Sequence, residues 1–545
     1  MGCGLRPARR LRSGRHGGNR RVGRPVRFTF GPPRPPGGTT LASLSTRPPS
    51  GGRVTADRLA GEGQACRAAT SPSLPLHARP RAGGHVLFSL SPGSLLAVAG
   101  VLRGPERREP TPAEDWRRAV VDVVIPASRH QHSIVHCLSS LLSQTRPPRR
   151  VVLVDDGGSD RDHTAQIARE FAIANGMDLV VIERLWSIGR TPTIKRQARE
   201  LDCDVEFILD GDTVLESPDY IERCVRELYQ GVGIASVGGL RLPMRARHRR
   251  RWADSEPFRR WVGGDDYRDP YLQGGAEGFA RWIADGYRES AALFSQGFVQ
   301  RGQMALLGGV AHPAGGAVAY RRRYLKDLFD RYEPHHGEDM SAVPEIFIGL
   351  ALDHEGYRHV QLTDLRARSL EAAPEHLPRQ LRENTMAFLQ CCRAFDALLR
   401  TPFQQPRQWW RRRQARRQIA NGTRPEQRRV VEAYRQPFGA RLTHQQGRPI
   451  GWALVLAMFD RLAFPAMLLL FAAAASWTGL LAAVAIEMLG WLGVLMIVSR
   501  GERMAMLGKG LIAAPLRYPA ACVELYSLLG FIGRSPVSVV QEHRH

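Results

Sequence analysis

From Val120 onward the chain alternates short apolar runs with stretches whose apolar residues recur at helical spacing. Val121–Ala127 (VDVVIPA), Arg150–Val154 (RVVLV), Asp178–Ile182 (DLVVI), Val205–Leu209 (VEFIL) and Ile234–Leu240 (IASVGGL) read as strands. The runs are short and mostly apolar, as strands covered on both faces must be. Ser133–Ser143, Thr164–Ala174 and Pro218–Tyr229 read as the intervening helices. This alternation predicts an α/β domain built on a mainly parallel sheet. In open sheets of that kind ligands bind beyond the carboxyl ends of the strands.

The pattern changes at both ends. Residues 1–110 are rich in Arg, Gly, Pro and Ser with little periodicity. Such a segment buries too little apolar surface to offset chain entropy, and disorder is expected. The apolar stretch His85–Leu102 is interrupted by Ser-Pro-Gly and sits at the lower length limit for a membrane span. Near the C-terminus Leu462–Trp477 and Leu480–Val498 are separated only by Thr478-Gly479. They predict a tight hairpin of two membrane-crossing helices, unless they continue as one bent helix. Gly451–Asp460 ahead of them reads as amphipathic and interfacial. Ser499–Lys509 is basic and reads as a cytoplasmic loop. Leu511–Ile532 is a third apolar stretch, broken by Pro515, Arg517 and Pro519. The expected organisation is a disordered region over 1–117, an α/β domain over 118–400, a basic juxtamembrane linker over 401–450, and a transmembrane region of two or three helices over 451–535.

Charge narrows the partners. The chain has 545 residues, a formal net charge of +25 and a pI near 10.7. The first fifty residues hold eleven Arg and no Asp or Glu. A second basic run, Trp409–Arg417, precedes the apolar tail. Placed there, it predicts contact with anionic lipid, worth about 1 kcal/mol per basic side chain, rather than with nucleic acid. The eight cysteines show no CxxC or Cys/His spacing, which argues against structural zinc.

Three acidic clusters carry candidate chemistry. Asp155-Asp156-Gly157-Gly158-Ser159-Asp160 follows a buried strand. Carboxylates there accept hydrogen bonds from ribose hydroxyls or a base edge, and the glycines allow close backbone approach. Asp210-Gly211-Asp212 ends another strand. Two carboxylates one residue apart suit a hard divalent cation, Mg2+ or Mn2+, bridging to a nucleotide diphosphate. Gly337-Glu338-Asp339 is the third cluster. Asp339 is the candidate base for an incoming hydroxyl.

The order VIPAS (Val124–Ser128), DDGGSD, DGD, Gly315-Gly316 and GEDMS (Gly337–Ser341) resembles the family-2 glycosyltransferases of GT-A fold. The stretch from Gly356-Tyr357-Arg358 to Glu371-Ala372-Ala373-Pro374-Glu375 is similar to membrane polysaccharide synthases, the relatives of chitin, hyaluronan and cellulose synthases. The resemblance implies that Asp155 and Asp156 hold the nucleotide, that Asp210 and Asp212 take metal and diphosphate, and that Asp339 is the base. Gly189-Arg190 stands where the family often carries Gly-Lys near the donor. Gly315, Gly316 and Glu338 fall on the acceptor side. Arg382 matches the arginine of the family's QxxRW motif, which could face the diphosphate. Arg379 and Glu383 replace that motif's Gln and Trp, removing an aromatic platform for the acceptor sugar.

The expected function is inverting transfer from a UDP- or GDP-linked sugar to a growing polysaccharide. The expected place is the cytoplasmic face of a bacterial inner membrane, in a multi-pass protein in contact with export-complex subunits. Two alternatives stay open: a non-processive transferase with a lipid-linked acceptor, and a non-catalytic sugar-nucleotide-binding subunit of a secretion complex.

Overall fold

The computed structural model describes residues 86–103, 115–156, 162–231, 233–262, 271, 275–336, 343–404, 410, 450–499 and 501–532. In chain order these form helix α1 (Pro92–Arg103), β1 (Val121–Ala127), α2 (Ile134–Leu142), β2 (Arg150–Asp155), α3 (Thr164–Asn175), β3 (Leu179–Glu183), α4 (Arg190–Glu200), β4 (Val205–Leu209), β5 (Thr213–Leu215), α5 (Tyr220–Gln230) and β6 (Ile234–Pro243). After β6 come α6 (Ala246–Ala253), α7 (Glu256–Val262), α8 (Gly275–Ala292), a π-helical turn (Leu293–Val299), α9 (Gln300–Leu307), β7 (Ala317–Arg321), α10 (Arg322–His336), α11 (Pro344–Glu355), β8 (Arg358–Ser369) and α12 (Leu377–Ala394). The tail holds α13 (Gly451–Ala473), α14 (Trp477–Val498), α15 (Arg503–Ala513) and α16 (Arg517–Ile532).

The strands form one mixed sheet in the order β3-β2-β1-β4-β7-β6-β8-β5. β3, β2, β1 and β4 run parallel, as do β6 and β8; β7 is antiparallel to both β4 and β6, and β5 is antiparallel to β8. The expected α/β class and mainly parallel sheet are therefore present. β7 is the strand that reverses, and its amino end (Ala317) pairs with the carboxyl end of β4 (Leu209).

The continuous apolar strands are explained by burial on both faces. Phe207 and Leu209 of β4 join Val123, Ile125, Leu138, Leu141 and Phe171 in one core. Ile208, one residue out of phase, joins Val318, Tyr320, Phe329 and Phe347 in another. Period-two alternation thus feeds two apolar layers rather than one.

Glu206 lies on the Ile208 side of β4, fully buried. Burial pushes its carboxyl up to about 8; the nearby Asp122 adds to that and Arg322 opposes it. The folded state therefore holds this proton more tightly than the unfolded chain. The stabilisation is complete below the ordinary glutamate range and is lost as pH rises toward about 8, at up to about 1.4 kcal/mol per pH unit. Glu206→Gln is expected to leave the thermal midpoint near wild type at pH 5 and to raise it by several degrees at pH 9. An equal shift at both pH values would remove Glu206 as the cause.

The tail departs from the sequence reading in its boundaries. Gly451–Asp460 is not a separate interfacial element but the first part of the 23-residue α13. The chain turns at Ala474–Ser476, with Ala475 at φ +50°, and not at Thr478-Gly479. Thr478 and Gly479 lie in the first turn of α14. Ser499–Lys509 is largely helical, as part of α15. Leu511–Ile532 is divided by a 3-10 turn at Ala514–Leu516. α13 and α14 are long and apolar enough to cross a membrane, with mean hydropathies of 1.9 and 2.3. The apolar stretch His85–Leu102 yields only the 12-residue α1, too short to span. α1 crosses α9 where Gly100 meets Gly302; a Cβ on Gly100 would lie 2.3 Å from the Gly302 carbonyl oxygen. Residues 1–85 lie outside the described residues, as do most of 401–450.

Candidate active site

The carboxyl ends of β1, β2, β4, β6 and β8 and the amino end of β7 lie on one side of the sheet. Asp155, Asp156, Asp210 and Asp212 follow from that topology to a common edge, and all four are buried.

Asp156 organises the first part of the edge. Its backbone N–H donates to the Ala127 carbonyl at 2.8 Å, tying the end of β2 to β1. Its carboxylate accepts from the Ile188 and Gly189 amides at 2.9 and 2.8 Å and from the Ser187 hydroxyl at 2.9 Å. Arg184 lies 3.5 Å away. The side chain thereby folds the loop that leads into α4 and sets where that helix begins. Gly157–Asp160, the rest of the motif, lies outside the described residues.

Arg190 opens α4 and reaches across the edge. Its guanidinium pairs with Asp210 at 2.6 Å and also with Glu345, at the start of α11. Burial works against its charge, but Asp210 and Glu345 more than offset this and hold its pKa above the ordinary arginine value. Asp210 and Glu345 come from positions 135 residues apart (345 − 210). Nothing in the local pattern around Glu345 marked it beforehand.

The Asp210-Gly211-Asp212 turn is held on three sides. The Asp210 amide donates to the Gly316 carbonyl at 2.8 Å, the Thr213 amide to the Asp210 carbonyl at 2.9 Å, and the Leu370 amide to the Asp212 carbonyl at 2.9 Å. Ser133 donates to the Gly211 carbonyl at 3.1 Å. Gly316 sits at φ +82°; a Cβ there would lie 2.9 Å from Arg241 Cδ and 3.7 Å from Asp210 Oδ2. Gly315, at φ +73°, would bring one to 3.0 Å of the Glu345 side chain. The pair of glycines lets backbone run directly over the carboxylates, at dihedrals other residues rarely adopt.

The sequence-derived residues Asp155, Asp156, Arg190, Asp210, Asp212, Gly315 and Gly316 are therefore brought to one edge. Arg382 is exposed on α12 and makes no ion pair among the described residues. Its neighbours Arg379 and Glu383 pair with each other at 2.8 Å across one helical turn. Glu338 and Asp339 lie outside the described residues.

The donor set suits a hard cation. Among the described residues no group of three or more His, Cys, Asp or Glu is placed to hold a metal. Asp210 and Asp212 offer two carboxylates beside a cradle of bare glycine backbone. Ions of the Mg2+ class use one or two carboxylates and complete their shell with substrate phosphate and water. The residues present fit that arrangement.

Comparison with known proteins bears on the same region. A protein-family model described as glycosyltransferase like family 2 matches residues 118–397. No curated protein matches the chain. Among solved structures, a mannosyltransferase from Pyrobaculum calidifontis in complex with GDP-Man and Mn2+ is similar at 15% identity and a TM-score of 0.40. That match covers 81% of this chain and 93% of the other. Glucosyl-3-phosphoglycerate synthase from Mycobacterium tuberculosis, in complex with Mn2+, UDP and glucosyl-3-phosphoglycerate, is similar at 17% identity and a TM-score of 0.28. There 51% of this chain and 81% of the other are covered. The family match runs from just before β1 to just past α12, so it takes in the whole sheet and its acidic edge: the chain belongs to the glycosyltransferase-like family 2 and is a glycosyltransferase that uses a nucleotide-sugar donor.

Proposed function

We propose that this chain is a membrane-bound, inverting glycosyltransferase that moves a sugar from a UDP- or GDP-linked donor to a growing polysaccharide. The observation that carries the reading is the convergence of Asp156, Arg190, Asp210, Asp212 and the Gly315-Gly316 backbone on one sheet edge. Asp210 and Asp212 would hold Mg2+ or Mn2+, which supplies neutralising charge for the departing diphosphate. Arg190 fixes the Asp210 carboxylate and limits repulsion between it and Glu345. Asp156 shapes the wall against which the nucleotide is read. Asp339 remains the proposed base for the acceptor hydroxyl; a single direct displacement inverts the anomeric centre.

Membrane attachment is supported by the outer faces of α13 and α14. Leu469, Leu470, Leu481, Leu489 and Ile497 are each more than 60% exposed. That surface needs an apolar environment. Cytoplasmic placement of the catalytic domain, a bacterial inner membrane and contact with export subunits belong to the same proposal.

A second reading, a non-processive enzyme with a lipid-linked acceptor, is favoured by one observation. Arg379 and Glu383 stand where the synthase motif has Gln and Trp, and they are engaged with each other. No aromatic platform is available at that point. Product length separates the two: a ladder of oligosaccharides from purified membranes excludes the second.

The decisive experiment is a panel of nucleotide sugars offered to purified protein, with release of nucleotide diphosphate as the readout. One donor is expected to turn over, and EDTA or Asp212→Ala is expected to reduce that turnover by about a hundredfold or more. Turnover unaffected by either would remove the metal assignment. Donor binding without any turnover would favour the non-catalytic subunit.

A further inference from the structure

Beyond the glycine pair, on the side of Asp210 away from Asp156, lies a second cluster of charge. Arg241 leaves β6, Arg249 leaves α6, and Arg281 and Arg288 leave α8. Arg241, Arg281 and Arg288 reach Glu371, just past β8, and Arg288 also pairs with Asp285. The cluster adjoins the acidic edge. The Arg241 Cδ and Asp210 Oδ2 lie 2.9 and 3.7 Å from the same point above Gly316.

Two of its arginines, Arg241 and Arg288, keep buried N–H groups without a partner among the described residues. Close by, Glu289 takes Arg245, Lys509 at 3.3 Å and Arg368 at 3.5 Å, while Glu502 takes Arg245 and Arg247. In the cluster itself Arg249 donates to the Met244 carbonyl at 3.2 Å and Arg281 to the Glu371 carbonyl at 3.1 Å. Arg241 Nη2 donates to Glu371 at 3.2 Å, and Arg288 Nη1 to the Ala372 carbonyl at 2.9 Å. Arg288 Nε is 4.0 Å from Glu371. Arg241 Nη1, Arg288 Nε and Arg288 Nη2 are buried without a hydrogen-bond partner among the described residues. Both side chains are 8% exposed. Arg249 and Arg281 lie over the Tyr271 ring at 5.5 and 5.3 Å. Burial, with Arg249 and Arg288 contributing, pulls the Arg281 pKa below the ordinary arginine value. Buried guanidinium groups left without acceptors are costly, and an anion is what relieves them.

We infer that Arg241, Arg281 and Arg288 form a subsite for an anionic group, phosphate or carboxylate, carried by the acceptor. The inference rests on the proposed transferase function and names the acceptor class for it. The cluster and the Asp156–Arg190 side approach Asp210 from opposite halves of the sheet. Asp156 and Arg190 belong to β2 and α4, on the β1–β4 half, whereas Arg241 comes from β6 and Arg281 and Arg288 from α8, which packs against β6. α8 also packs against α15 of the tail, where a Cβ on Gly286 would lie 3.7 Å from Lys509 Cβ.

The test uses the full chain in phosphatidylcholine nanodiscs. Octyl phosphate, octyl glucuronide and the neutral octyl glucoside are titrated calorimetrically, with UDP and GDP titrated separately in the presence of Mn2+. One or both anionic amphiphiles are expected to bind at least about tenfold more tightly than octyl glucoside. Arg281→Gln is expected to weaken the anionic ligand by about tenfold or more, Arg281→Lys by less, and neither to change the nucleotide diphosphate affinity. Equal binding of the neutral glycoside, or anion affinity unchanged in Arg281→Gln, overturns the inference. Loss of nucleotide diphosphate affinity in that variant overturns it too, because the arginines would then serve the donor. Wild-type protein that binds neither UDP nor GDP counts against the transferase reading instead, whatever octyl phosphate does.

Discussion

Asp210→Asn is expected to lower sugar transfer by about a thousandfold while the protein remains folded. The substitution keeps size and shape, and the backbone bonds to Gly316 and Thr213 do not involve the side chain. What changes is charge. The partner 2.6 Å from Arg190 becomes neutral, and one of the two carboxylates proposed to face the diphosphate is lost. Arg190 still has Glu345, so its buried charge is not stranded. The loss should therefore fall on turnover and on Mn2+-dependent nucleotide binding, not on the thermal midpoint. Single-turnover kinetics with the donor identified by the nucleotide-sugar panel, alongside calorimetric binding of its nucleotide diphosphate with and without Mn2+, provide the check. Activity within tenfold of wild type would place the departing diphosphate elsewhere. A large drop in midpoint would show that Asp210 serves the fold first.

The parts of this arrangement legible in the sequence are those set by local pattern. β1 and β4 begin and end where their apolar runs do, because burial on both faces keeps every position but Asp122 and Glu206 apolar. The acidic motifs fall at strand ends for the same reason. Glu345, Arg241 and Glu371 were not legible, since each matters only through a neighbour far away in the chain. The tail shows how one residue can signal two opposite things. Thr478-Gly479 reads as a break because glycine weakens helices. In the structure Gly479 is helical, and a Cβ there would stand 3.0 Å from the Phe471 ring. Glycine is needed for α13 and α14 to approach closely, not to end a helix. Matching a motif arginine says nothing about which face of α12 Arg382 occupies; the buried face is taken by Leu381, Thr385, Phe388 and Cys392, and Arg382 is on the exposed one.

Arg517→Met is expected to cost about 3–5 kcal/mol and to release the segment before α1. Arg517 is 1% exposed and pairs at 2.6 Å with Glu487, which is fully buried midway along α14. The same guanidinium donates to the Leu87 carbonyl at 2.6 Å and stacks over Trp491 at 3.7 Å. Glu487 in turn accepts from Ser89 and from the Leu90 amide, at 2.6 and 3.1 Å. Two further tail carboxylates hold the same segment: Glu524 accepts from the Val86 amide and Asp460 from the Gly93 amide, both at 2.9 Å. Removing Arg517 strands the Glu487 charge, whereas Arg517→Met with Glu487→Gln removes both charges and leaves shape nearly intact. The double variant should therefore lose much less than Arg517→Met alone, a coupling only directly paired groups show. Thermal unfolding of detergent-purified protein gives the energies, and limited proteolysis between residues 86 and 103 reports release of the segment. If the double variant loses as much as the two single variants added together, the pair is not what holds this segment to the tail. The Ser89 and Leu90 bonds to Glu487, which the glutamine side-chain oxygen can still accept, would then be too weak to restrain it on their own.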